Sequence, residues 1–183
     1  MSNSLKMVVV LTVISALAAL ILAGMNIATK DRIAEAERQD FLRGLTSVLP
    51  GFDNEPDRDI LTVDGNKLYI GKKGGQVFGY AVESVSAKGY SGNIKVLVGV
   101  GTDGKILGIE IISHAETPGL GNKIEDEEWR SSFKGMSADS KISVKKDGGD
   151  IDGFSGATIS PRAVCEAVVN ALALVKKADG GAK

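Results

Sequence analysis

The residues best placed to do chemistry lie in one run: Asp152-Gly153-Phe154-Ser155-Gly156-Ala157-Thr158-Ile159-Ser160-Pro161-Arg162. Ser160 reads as a helix N-cap and Pro161 as the first helical residue, where its missing N–H costs nothing. Ala163 to Val175 then continue an amphipathic helix. Just before the cap, Ser155-Gly156-Ala157-Thr158 is small, and Gly156 permits a turn. The Thr158 hydroxyl therefore falls at the positive end of a helix, among free backbone N–H groups. An anionic group placed there would be stabilised, a phosphate above all. A plain cap, with Thr158 merely a second turn hydroxyl, reads the same residues equally well.

Other constellations carry less. Gly99-Val100-Gly101-Thr102-Asp103-Gly104 has the spacing of a dinucleotide loop, but Lys105 to Ile112 follows as a strand where a helix N-terminus is required. Asp103-Gly104 reads instead as a hairpin turn. Ser113 and His114, with Glu116 close by, do not form a nucleophilic pair: neighbours on a strand point to opposite faces, and no nucleophile elbow is present. Cys165 is spaced with Val168, Val169 and Leu172 as a buried small hydrophobe. One cysteine and one histidine leave no zinc set and no internal disulfide. The 22 Lys and Arg balance 23 Asp and Glu, without the basic surplus of a nucleic-acid binder.

The elements that must position these groups follow from the patterning. Ile60–Val63, Lys67–Ile70, Val77–Val85, Ile94–Val100 and Lys105–Ile112 are strand-like runs rich in Val, Ile and Tyr. Asp64-Gly65, Gly74-Gly75, Ser91-Gly92 and Asp103-Gly104 separate them, so an antiparallel meander is expected. A polar helical stretch from Asn122 to about Phe133 and a last helix from Pro161 to Lys177 complete an α+β fold, a twisted sheet flanked by helices.

Ahead of this domain, Met7 to Ile27 carries no charge. Twenty-one residues rising ~1.5 Å each give roughly 31 Å, about one bilayer hydrocarbon core. A cleaved signal peptide has a shorter apolar region, usually ~7–15 residues. Leu22-Ala23-Gly24 looks like a lipoprotein box, but Met25 stands where the lipidated Cys would be. The expected organisation is a tail at 1–6, a membrane helix at 7–28, a helical stalk at 29–50, the domain at 51–178 and a flexible tail at 179–183. Lys6 precedes the span while Lys30, Arg32, Arg38 and Arg43 follow it, so the charge count alone places the domain in the cytoplasm.

Asp-x-x-Ser-Gly-Ala-Thr resembles the flavinylation motif of the FMN-binding domain family, in which FMN is esterified through its phosphate to the last threonine. Gly89-Tyr90-Ser91-Gly92, Val98-Gly99, His114-Ala115-Glu116-Thr117-Pro118-Gly119-Leu120-Gly121, Lys123-Ile124-Glu125 and Val144-Lys145-Lys146-Asp147-Gly148-Gly149-Asp150 extend the likeness. In that order, over about residues 80–175, they resemble the G subunit of the Rnf electron transport complex. The C subunit of the sodium-pumping NADH:quinone reductase shares both signatures and is the alternative. A membrane-anchored binding module without covalent flavin is another.

The resemblance implies covalent FMN on Thr158, with Ser155, Gly156, Ala157 and Ser160 holding the phosphate and Asp152 recognised by a separate flavin transferase. Asp152 as a turn residue remains open. The loop of Glu116, Thr117, Pro118, Gly119, Leu120 and Gly121 would meet the isoalloxazine ring. Lys123 would stabilise charge on reduced flavin, or be a solvated helix cation. Tyr90 and Trp129 are possible ring neighbours, Trp129 more readily a core residue, and His114 is read as structural. The implied role is a membrane-bound electron-transfer subunit of a complex that couples ferredoxin:NAD+ electron transfer to Na+ or H+ movement. Its partners would be the lipid bilayer and the other subunits. The soluble domain would then be extracytoplasmic, against the charge count.

Overall fold

The computed structural model describes residues 3–181. Helix α1 runs unbroken over Asn3–Val48. It is long and apolar enough to cross a membrane, and Val8, Leu11, Leu20 and Ile21 along it are exposed. Two compact units divide the chain, one up to Asp40 and one from Phe41 onward. The second unit therefore takes in the last two turns of α1, earlier than the boundary expected at 51. The reason is apolar: Phe41, Leu45 and Val48 face the sheet rather than water. Of the expected tails at 1–6 and 179–183, residues 3–6 and 179–181 are helical. Residues 1–2 and 182–183 lie outside the described residues.

The second unit is an antiparallel five-stranded meander in the order β1-β2-β3-β4-β5, with β1 Ile60–Val63, β2 Asn66–Lys73, β3 Gln76–Gly89, β4 Gly92–Gly101 and β5 Ile106–Ser113. Asp64-Gly65 and Gly74-Gly75 have positive φ at both positions, the geometry of tight hairpin turns that match strand twist. Alternation along β4 sends Ile94, Val96, Val98 and Val100 to one face and Leu97 to the other. Helix α3, Ile159–Gly181, covers the first face with Val164, Ala167, Val168, Ala171 and Val175. Leu45, Val48 and Leu49 cover the second.

The polar helix expected over 122–133 is broken. A 3₁₀ turn, Gly121–Glu125, stops at Asp126, whose extended backbone (φ −60°, ψ 124°) precedes a short helix α2, Glu127–Ser131. The break lets Ile124 and Trp129 both reach the core.

Cys165 on α3 is 4% exposed, and burial pushes its thiol up to about 12. The thiolate is the reactive form, so Cys165 is expected to resist iodoacetamide near neutral pH in the folded protein and to be alkylated fully after denaturation. Intact-mass spectrometry of the two samples reads the difference directly.

Candidate functional site

Three segments converge where α3 begins. The first is the β3–β4 turn at Tyr90 and Ser91, the second is the loop that follows β5, and the third is the stretch from Phe154 to α3. They enclose a cavity of ≈ 560 Å³. From the residues singled out in the sequence it brings together Tyr90, Glu116, Thr117, Leu120 and Gly121 with Gly156, Ala157, Thr158 and Ser160. Ile159, which stands out in no sequence motif by itself, completes the wall. Ser155, Pro118, Gly119 and Lys123 are not part of it, and Lys123 sits instead in the 3₁₀ turn beside it.

Each wall is fixed locally. The Ala157 N–H donates to the Phe154 carbonyl at 3.2 Å, closing a turn in which Gly156 takes φ 81°. That conformation suits glycine and costs other residues. Thr158 is thereby set directly ahead of a 23-residue helix. The first N–H groups of such a helix have no partner inside it, which makes this end a ready place for a phosphate. On the opposite wall the Thr117 carbonyl accepts from Leu120 and Asn122 N–H at 3.2 and 3.4 Å. The Gly119 N–H donates to Asn122 Oδ1 at 2.7 Å. The loop is thus a self-bonded turn that presents Leu120, 46% exposed, to the cavity.

Ser160 departs from its expected role. Helix α3 starts at Ile159, so Ser160 lies inside the first turn rather than capping it. Pro161 is still within that turn, where a missing N–H is harmless. The Ser160 hydroxyl donates to Glu116 Oε2 at 2.6 Å. Its proton is spent on that carboxylate, and towards the cavity it offers a backbone N–H and a lone pair. Glu116, 6% exposed, also accepts from the Ser91 N–H at 3.1 Å through Oε1. One carboxylate therefore ties all three segments together.

His114 supports this loop from behind. Its Nδ1 accepts the Glu116 N–H at 3.0 Å, which leaves the ring proton on Nε2, 3.0 Å from Glu125 Oε1. Trp129 lies outside the cavity: it is 7% exposed, packs on Phe133 and Phe154 at 5.2 Å between ring centres, and donates to the Asp152 carbonyl at 2.7 Å. It is a core residue that pins the motif. The Asp152 carboxylate stays exposed and pairs with Lys145 at 2.7 Å.

On the far side of Ile159 a second cavity, ≈ 400 Å³, contains Lys88 and Arg162. Both cations are committed: Lys88 to Glu166 at 2.6 Å, and Arg162 in a two-point pair with Asp147. The Arg162 guanidinium holds the Asp147 carboxyl below its usual range. A larger hollow of ≈ 680 Å³ lies against β2, β3 and α3 but contains none of the motif residues and no helix start, so size does not mark the site.

An anion-ready helix start, a threonine hydroxyl beside it and a half-apolar cavity of ≈ 560 Å³ make a site suited to a ligand with a phosphate at one end and an apolar body. The FMN-binding domain model matches residues 89–173, which include every residue lining the cavity. The chain belongs to the family of the G subunit of the ion-translocating oxidoreductase complex. It is 42% identical over 169 residues to the Shewanella baltica member, covering 83% of this chain and 80% of that one. It is 40% identical over 186 residues to a member from Cereibacter sphaeroides, covering 94% and 84%. Among solved structures it is similar to the C subunit of the Na+-translocating NADH-quinone reductase from Parabacteroides distasonis (TM-score 0.51, 26% identity, 61% of each chain).

Proposed function

We propose that this chain is a membrane-anchored electron-transfer subunit that carries FMN on Thr158 as a phosphoester, within a complex that moves electrons between ferredoxin and NAD+ and drives Na+ or H+ across the membrane. The observation that carries the reading is the placement of Thr158 at the start of α3, on the wall of a cavity whose other side is the Glu116–Gly121 loop. Bound there, FMN supplies electron transfer in single-electron steps. The chain's own residues would supply the rest: the first-turn amides of α3 would hold the phosphate, Thr158 would give the ester oxygen, and Tyr90, Leu120 and Ile159 would offer apolar surface to the ring.

The chain is an acceptor, not the catalyst of its own loading. A separate flavin transferase is the partner in maturation, and the exposed Asp152 is open to it. Helix α1 anchors the chain in the bilayer, with the domain on the extracytoplasmic side where that transferase acts. The higher identity to members of the G-subunit family than to the quinone-reductase protein favours ferredoxin over quinone chemistry.

The test is co-expression with an active flavin transferase. A fluorescent band that survives SDS is expected for the wild type, with a mass gain of one FMN less water on the peptide containing Thr158, and both are expected to vanish in Thr158→Ala. A dark wild-type band overturns the covalent reading and leaves a tethered binding module. Assaying the intact complex with ferredoxin against quinone separates the two families.

A further inference from the structure

The FMN cavity has one charged side chain in its wall, and that side chain is negative. Tyr90, Thr117, Leu120, Thr158, Ile159 and Ser160 are neutral, the remaining lining positions are glycine or alanine, and Lys123 is absent from the lining. Glu116 is 6% exposed, and donors reach both of its oxygens, the Ser91 N–H at 3.1 Å and the Ser160 hydroxyl at 2.6 Å. Two donors on two oxygens is the pattern an ionised carboxylate accepts. No lysine, arginine or histidine pairs with it among the described residues. Two bare Cα atoms seat it: a methyl at Gly121 would stand 2.5 Å from Oε2, and one at Gly89 2.8 Å from Oε1. The charge is therefore fixed in place, poorly hydrated and without a counter-ion.

We propose that Glu116 sets the reduction potential of FMN held in this cavity and pushes it down, a role that rests on the FMN reading above. Oxidised flavin that takes up two electrons and one proton gains a negative charge. A buried carboxylate in the cavity wall opposes that charge far more strongly than a solvated one, and salt screens it less. Glu116 acts on the flavin's electron affinity through its field, and Lys123 has no corresponding place in the wall to offset it.

Glu116→Gln removes the charge and keeps the side chain's shape, with the Ser160 hydroxyl turning so that its oxygen accepts instead of donating. The amide oxygen can accept the Ser91 N–H, and the amide nitrogen can donate to a lone pair of Ser160 Oγ. In full-length protein carrying covalent flavin, purified in detergent, spectroelectrochemical titration should show E116Q favouring reduced flavin about tenfold, which is roughly 30 mV upward for a two-electron couple. Glu128→Gln, on α2 and outside the cavity, should leave the potential where it was. If E116Q does not load, Ile159→Glu adds a second carboxylate to the same wall at the first position of α3, where an acid suits the helix. It should lower the potential, by less than E116Q raises it, because position 159 is 43% exposed.

A second measurement does not depend on the ester. With Thr158→Ala protein and free FMN, E116Q should tighten binding of the reduced form relative to the oxidised form about tenfold. If the wild type takes up no covalent flavin, the attachment reading fails, and this ratio still judges the charge. A potential and a binding ratio that E116Q leaves within twofold of wild type, a shift of opposite sign, or free FMN that does not bind the cavity overturns the inference.

Discussion

A methyl group on Gly99 is expected to prevent the domain from accumulating in folded form. Built on the native backbone, the added carbon stands 2.0 Å from the Val48 carbonyl oxygen and 2.7 Å from its carbon. The overlap is backbone on backbone, so no side chain can rotate away. Strand β4 cannot yield either, because Gly99 is paired with Ala81 on one side and Gly108 on the other. The end of α1 must lift instead, taking with it Leu45, Val48 and Leu49, each 0% exposed. Ordinary overpacking costs about 1–3 kcal/mol, and exposing the three buried side chains adds about 1.5–3 kcal/mol for each. The sum approaches the whole stability of a typical domain, about 5–15 kcal/mol. Gly108→Ala is the control: its methyl would meet Ser47 O at 3.4 Å and the Val48 Cα at 3.5 Å, which is ordinary contact. Membrane yields and circular-dichroism melts of the two variants should diverge sharply. Equal melting of both would show that the helix end is not seated as described.

Trp129→Ala is the second large effect, at about 3–5 kcal/mol for a buried tryptophan. The side chain fills the space between Phe133 and Phe154, and its indole N–H is the partner of the Asp152 carbonyl. Truncation removes the packing and orphans that carbonyl together. Trp129→Phe separates the two, keeping most of the ring contact and leaving about 1–3 kcal/mol for the unsatisfied oxygen. The chain has one tryptophan, so far-ultraviolet circular dichroism in a urea titration is the suitable probe. Because Asp152 opens the motif, both variants should also carry less flavin per chain, and Ala less than Phe. A variant that loses stability while loading flavin normally would separate the pin from the site.

Much of this is legible in the amino-acid sequence, for reasons local to the chain. The strand runs combine Val and Ile with turn pairs that need positive φ, so their order and antiparallel pairing can be read one hairpin at a time. The Asp152–Thr158 segment and the 116–121 loop carry motifs, and both line the cavity or flank it. What escapes depends on partners distant in sequence. Ser160 reads as a cap because its residue type favours that position, whereas its hydroxyl is claimed by Glu116, 44 positions away. Ser91 falls within the Gly89–Gly92 motif, but its tie to Glu116 is not legible there, since its contribution is a backbone N–H. The helix expected over 122–133 is broken by the need to bury Ile124 and Trp129 from one short segment, a tertiary demand that periodicity does not display.

Helix α3, which covers the sheet's first face, follows all five strands in the sequence. All five strands lie before residue 114 and pair with their nearest neighbours in sequence, so they can emerge from the ribosome and begin to zip together in turn. Until α3 follows, Val82, Val96 and Val98 lack the cover of Val164, Ala167 and Val168, and the partly covered sheet is the stage most open to chaperones and proteases. The turn at residues 154–157 closes on itself, but Thr158 stands at a helix start only once α3 has formed. Any enzyme that recognises Thr158 at a formed helix start thus meets that surface only after α3 has been made, and products truncated before α3 do not present it.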